Sequence, residues 1–202
     1  MNIFVFDLDS TVTKAELLPE IAKAAGLGLD MARLTQEALD GVVPFEESFR
    51  QRFDLLGHVP MEIVRRVAEG IEVDEHFGGF IKEHRERCVI ATGNADLWVK
   101  PITGKLGCRV FASHAELDER GVPRLLSVLH KGDVMKTLRG ELSSGSKIIA
   151  IGDSANDIPM FEAADFSIAY GGVNEPSQET RLAANAQINE SARVKSVLSS
   201  YL

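Results

Sequence analysis

Apolar residues in this chain fall into short continuous runs, separated by stretches whose apolar positions recur at helical spacing. Ile3–Phe6 is one such run, and Val89–Ala91, Val110–Ala112, Ile148–Ile151 and Phe166–Ile168 are others. Ala186–Ile188 is a sixth candidate. Short apolar runs of this kind read as strands buried on both faces. Helical patterns separate most of them, and that alternation predicts a parallel sheet with helices on both sides. Residues 14–70 break the alternation. Leu17, Leu18, Ile21 and Ala25 recur at helical spacing, and Met31–Leu39, Phe45–Leu56 and Pro60–Ala68 follow suit. A helical block inserted straight after the first strand is expected to sit as a cap over the carboxyl edge of the sheet. The charged run Lys82–Arg87 reads as the solvated end of a helix, and Val194, Val197 and Leu198 as a last helix on the core.

Composition changes this picture little and charge changes it more. The 202 residues suit one domain, or a core with a modest insertion. The 22 basic and 30 acidic residues leave a net charge of -8, which argues against broad nucleic-acid binding. A phosphorylated ligand would be repelled at long range, so local cations must reverse the field at any phosphate site. No apolar stretch approaches the ~18 residues of a membrane span. Asp7 interrupts the first apolar run too early for a signal peptide. Cys88 and Cys108 form no metal-binding spacing, and a reducing, cytoplasmic setting is expected, with pairing of the two left open.

The candidate chemistry lies at the strand ends. The first run drives into Asp7 and Asp9, two carboxylates spaced i, i+2. Open α/β sheets hold ligands at that edge; the plain alternative is a strand that stops at a polar turn. The second run ends Thr92-Gly93-Asn94, a hydroxyl donor followed by a residue that lets backbone approach an anion. The fourth ends Gly152-Asp153-Ser154-Ala155-Asn156-Asp157, a second acidic strand end. Lys131 opens the helical segment before it; a lone lysine there is ordinarily a surface residue. Four carboxylates brought together would raise one another's pKa unless a hard cation relieved them.

Taken jointly, these motifs resemble the haloacid-dehalogenase superfamily in its DxDxT phosphatase form. Asp7-Leu8-Asp9-Ser10-Thr11 is similar to the first motif, Thr92-Gly93 to the second, Lys131 to the third and Gly152–Asp157 to the fourth. The resemblance covers nearly the whole chain. It implies a Rossmann-like core, residues 1–13 and 71–202, with residues 14–70 as the cap. It also implies Mg²⁺-dependent phosphoryl transfer. Asp7 would be the nucleophile, and Asp9 the acid and then the base. Mg²⁺ would be held by the side chains of Asp7 and Asp153 and the carbonyl of Asp9. Thr92, Gly93, Lys131 and Asn156 would bind the substrate, and Asp157 would support the metal shell or Lys131.

Within the superfamily, Asp9–Glu16 and Glu37–Arg52 resemble the phosphoserine phosphatase family. That likeness implies Glu16 for a substrate ammonium, Arg52 for its carboxylate and Phe45 as a shield. Read without it, Glu16 is a helix-start carboxylate, Arg52 an exposed helix charge and Phe45 a core residue. Leu39 stands where the family often has methionine, and Thr92 where it usually has serine. Glu116–His130 does not closely follow the family pattern. Phosphoserine is the expected substrate. The alternatives are another small phosphorylated metabolite (phosphohomoserine, phosphoethanolamine or a sugar phosphate) and a phosphate-binding module without turnover.

Overall fold

The computed structural model describes residues 1–39 and 43–202, the side chains of residues 37–39 excepted. Leu39, singled out above, therefore lies outside the described side chains. Among the described residues, seven strands form one sheet: β1 (Ile3–Phe6), β2 (Cys88–Ala95), β3 (Arg109–Leu117), β4 (Pro123–Ser127), β5 (Ile148–Gly152), β6 (Phe166–Tyr170) and β7 (Ala186–Ile188). Their order is β4-β3-β2-β1-β5-β6-β7. All neighbours pair in parallel except β3 and β4, which are antiparallel.

The central strand shows why the apolar runs make this sheet. Phe4 and Phe6 face one cluster, with Phe77, Phe80 and Ile151. Ile3 and Val5 face the other, with Val134, Leu138 and Phe161. A strand apolar on both faces can only be satisfied between two helical layers. Phe4 and Phe6 are fully buried, and each such side chain contributes about 1.5–3 kcal/mol.

The sheet is flanked by α5 (Glu75–Glu83), α6 (Asp96–Leu106), α7 (Lys131–Glu141), α8 (Ile158–Ala163) and α10 (Ser191–Ser199). The short α9 (Gln178–Ala183) precedes β7. Between β1 and β2, the chain first runs through α1 (Leu17–Ala24), α2 (Gly28–Leu39), α3 (Phe45–Leu56) and α4 (Met61–Gly70). The outgoing and returning backbones are tied together. Lys14 N donates to Glu72 O at 2.9 Å, and Asp74 N to Val12 O at 2.9 Å. Thr13 and Val73 form an isolated antiparallel bridge.

One feature differs from the sequence expectation. Strand β4 lies in Glu116–His130, where no strand is expected. Only Pro123 of its five residues is buried, so it lacks the apolar run that marks the others. Proline at its start and charge on its face suit an edge strand. The sheet is therefore parallel with one antiparallel edge. Lys131 departs only from the plain alternative of a surface lysine: it is 3% exposed, as the joint motif implies.

Candidate active site

The carboxyl ends of β1, β2 and β5 meet where the chain switches direction across the sheet, at the crevice expected of open α/β folds. Asp7 directly follows β1. Its backbone N donates to Ile151 O at 2.8 Å, which fixes the strand end beside β5. A wide helical turn, Leu8–Val12, follows, with Ser10 left-handed at φ 56°.

Lys131 is the hub. Its Nζ donates to Asp7 Oδ1 at 2.5 Å, to Asp157 Oδ1 at 2.5 Å and to Asn156 Oδ1 at 3.2 Å. Burial pushes the ammonium down, but Asp157 and Asp7 outweigh it and hold the lysine protonated. Asp157 is saturated in turn: its Oδ2 accepts from the backbone N of Asp153 and of Ser154, both at 3.0 Å. Gly152 permits this, since a Cβ there would lie 2.3 Å from Asp157 Cγ.

Asp7 and Asp153 are less satisfied. Asp153 Oδ1 accepts from Thr11 Oγ1 at 3.2 Å. Burial raises the Asp7 carboxyl to about 8, against the pull of Lys131, with Asp157 and Asp9 adding to the rise. Burial and Asp7 raise Asp153 to about 9. One carboxylate oxygen from each of Asp7, Asp153 and Asp157 falls in a group spanning no more than 4.8 Å, all three residues buried. Hard oxygen donors crowded in this way fit a divalent cation such as Mg²⁺ or Ca²⁺. Asp157 is engaged by Lys131 and two backbone amides, so Asp7 and Asp153 are the open ligands.

Asp9 is held differently. Its Oδ1 accepts from the backbone N of Leu17 at 2.8 Å, and its Oδ2 from Asn94 Nδ2 at 2.6 Å. The first residue of α1 thus grips an acid at the sheet edge, where a helix N-terminus favours negative charge. Burial raises its pKa while these two hydrogen bonds lower it.

The second strand end supplies Thr92 and Gly93. Thr92 is buried, and its Oγ1 accepts from Asn94 N at 3.1 Å. A register shift against β3 between Thr92 and Ala95 frees this stretch from regular pairing. A Cβ on Gly93 would come within 2.8 Å of Phe45 Cζ, so glycine here admits the aromatic ring of α3. Phe45 is 36% exposed and stacks on Phe49.

Glu16 and Arg52 stand on the helical side. Glu16 precedes α1 but makes no capping hydrogen bond. It accepts instead from Asn174 Nδ2 at 3.1 Å. Burial and Asp9 raise its pKa, while Arg52 and Asn174 oppose the rise. Burial pushes the Arg52 guanidinium down, and Glu16 and Asp9 hold it up. Arg52 Nε donates to Ser48 O at 3.3 Å.

The residues singled out in the sequence thus gather around one sheet edge. Sequence reasoning missed the roles of Asn94, Thr11 and Asn174. Asn94 adjoins Thr92-Gly93, and its position was the one available signal; Asn174 lies in a loop without a motif.

A family model, described as haloacid dehalogenase-like hydrolase, matches residues 1–165. A phosphoserine phosphatase of Methanocaldococcus jannaschii is 32% identical over 179 residues, 84% of this chain and 85% of that protein. One of Archaeoglobus fulgidus is 29% identical over 179 residues, and this chain spans only 52% of its length. The solved structure of a phospho-aspartyl intermediate analogue of phosphoserine phosphatase superposes with a TM-score of 0.81 at 28% identity, covering 100% of this chain and 99% of that one. With the buried lysine–carboxylate hub and the strand order that carries it, these likenesses place the chain in the haloacid dehalogenase-like hydrolase family.

Proposed function

We infer that the chain is a phosphomonoesterase that hydrolyses O-phosphoserine through an aspartyl-phosphate. The observation that carries this is the pairing of an acid-lined phosphate pocket with Glu16 and Arg52, opposite charges on the helical side. A zwitterionic phosphate ester presents the complementary set: phosphate, ammonium and carboxylate. The phosphoserine phosphatases among its relatives support the same substrate.

In this reading, an oxygen of Asp7 attacks phosphorus while the P–O bond to serine breaks. Asp9 gives its proton to the departing serine oxygen, and burial keeps that proton available. Asp9 then takes a proton from water, whose oxygen attacks the phosphoryl group and releases phosphate and free Asp7. Lys131 stays protonated beside Asp7 and, with Thr92 and the Gly93 and Asn156 amides, binds the phosphoryl oxygens. Asp7 and Asp153, with the Asp9 carbonyl, would hold Mg²⁺, which when bound neutralises their charge and polarises the phosphoryl group. Asp157 positions Lys131. Residues 14–70 act as a cap over residues 1–13 and 71–202, with Phe45 against Gly93 excluding water. Arg52 pairs with the substrate carboxylate and Glu16 with its ammonium. Two free thiols, Cys88 and Cys108, fit a reducing compartment such as the cytoplasm.

A screen of phosphomonoesters with Mg²⁺ or with EDTA tests the reading. Phosphoserine should rank first by kcat/KM, and EDTA should abolish turnover. Asp7→Asn should lower kcat by at least about 10³-fold. Arg52→Ala should harm phosphoserine far more than an aryl phosphate. Phosphoserine ranking behind another metabolite would move the assignment to that substrate, and equal losses from Arg52→Ala would remove that residue's role.

A further inference from the structure

We propose that Asn174, on the loop after β6, is a positioning residue that fixes Glu16 for recognition of the substrate ammonium. The proposal rests on the substrate reading above and adds a residue that no motif marks.

Asn174 reaches across 164 residues of sequence to Ser10 and 158 to Glu16. Its Nδ2 donates to Ser10 Oγ at 2.9 Å and to Glu16 Oε1 at 3.1 Å. A carboxylate only accepts, so the amide must turn its NH₂ toward Glu16. Ser10 is the only described non-glycine residue with positive φ, and it sits next to Asp9. Asn174 therefore pins both the turn after the first strand and the carboxylate that begins α1. Ser10, Glu16 and Asn174 share the wall of one cavity of about 430 Å³, bounded on the helical side by Met31 and Thr35.

Glu16 needs this support. Its charge is disfavoured by burial and by Asp9, and favoured by Arg52 and Asn174. Once a substrate carboxylate occupies Arg52, the guanidinium is shared. The Asn174 amide still donates to Glu16 Oε1 in that state. It also keeps the carboxylate in one rotamer, leaving the second oxygen for the ammonium.

Two substrates separate this role from a structural one: O-phosphoserine, and 3-phosphooxypropanoate, which is phosphoserine without its ammonium. Steady-state kinetics with Mg²⁺ would compare wild type, Asn174→Ala and Glu175→Ala. Glu175 is on the same loop, exposed and paired with Arg181. Asn174→Ala should raise KM for phosphoserine about tenfold, the scale of a lost hydrogen bond to a charged group, with kcat within about twofold. Both constants for 3-phosphooxypropanoate should stay within about twofold. An unchanged KM for phosphoserine, or equal losses on the two substrates, would overturn the role of Asn174. So would Glu175→Ala reproducing the KM change, since the loop rather than the amide would then be responsible. A wild type that does not prefer phosphoserine over 3-phosphooxypropanoate would overturn the substrate reading, and the Asn174 proposal with it.

Discussion

At the scale of single residues, two glycines mark opposite kinds of constraint. A Cβ at Gly152 would meet the Asp157 carboxylate at 2.3 Å, and that carboxylate is locked by Lys131 and two backbone amides. Nothing there can yield cheaply. Gly152→Ala should therefore cost about 1–3 kcal/mol in urea unfolding and reduce turnover together. A Cβ at Gly93 would meet Phe45 Cζ at 2.8 Å, the far end of a partly exposed ring that can swing away. Gly93→Ala should leave the unfolding midpoint nearly unchanged and raise KM. The two glycines looked alike in sequence, each beside a strand end. Lys131 was legible as a site residue only through the joint motif; alone it resembles any helix-start lysine. Asn174 was not legible, because its partners lie more than 150 residues away and its loop has no pattern of its own.

At the scale of elements, α3 has two ends with different attachments. Its first turn carries Phe45 against Gly93, over the site. Its last turns carry Phe53, which stacks on Trp98 of α6 with ring centroids 4.5 Å apart at 17°. Both rings of that stack are fully buried. Helix α3 is thus anchored on α6 through Phe53 at one end and meets Gly93 through Phe45 at the other. Opening should pivot about the Phe53–Trp98 contact while the Phe45 end moves. The single tryptophan makes this measurable: orthovanadate should leave the Trp98 emission maximum unshifted. A red shift of the free enzyme relative to the bound one would place the moving surface at α6 instead. Phe53→Ala should cost roughly 3–5 kcal/mol, since it empties a core site. The helices of the inserted block were legible because apolar residues recur at helical spacing. Strand β4 was not, because it is a short edge strand starting at Pro123 and largely exposed. Its pairing with β3, not its own sequence, makes it a strand.

At the scale of the whole molecule, the governing fact is negative charge gathered at one sheet edge. The chain carries a net charge of -8, and Asp7, Asp153 and Asp157 are buried together, with Lys131 as the cation shared by Asp7 and Asp157. Without a metal, burial raises Asp7 from 3.8 to about 8 and Asp153 from 3.8 to about 9. The folded protein then keeps protons that the unfolded chain has already released. Stability from this source is complete below pH about 4 and is lost as pH rises through about 8 to 9. Lys131 does not offset the loss, because through that window it carries its proton in the folded and the unfolded chain alike, with Asp157 beside it in the fold. A divalent cation at these carboxylates displaces the retained protons, so its stabilisation must grow with pH over the same range. Thermal melts of the EDTA-treated protein should show a midpoint that falls from mildly acidic to mildly alkaline pH. Added Mg²⁺ should raise the midpoint more at the alkaline end, and calorimetry at neutral pH should detect proton release on binding. Asp153→Asn should flatten both the fall and the Mg²⁺ response, since it removes the more strongly raised carboxyl and an open ligand at once. An Mg²⁺ response of equal size across the range would mean that the cation binds elsewhere, and that these buried carboxylates are balanced by Lys131 alone.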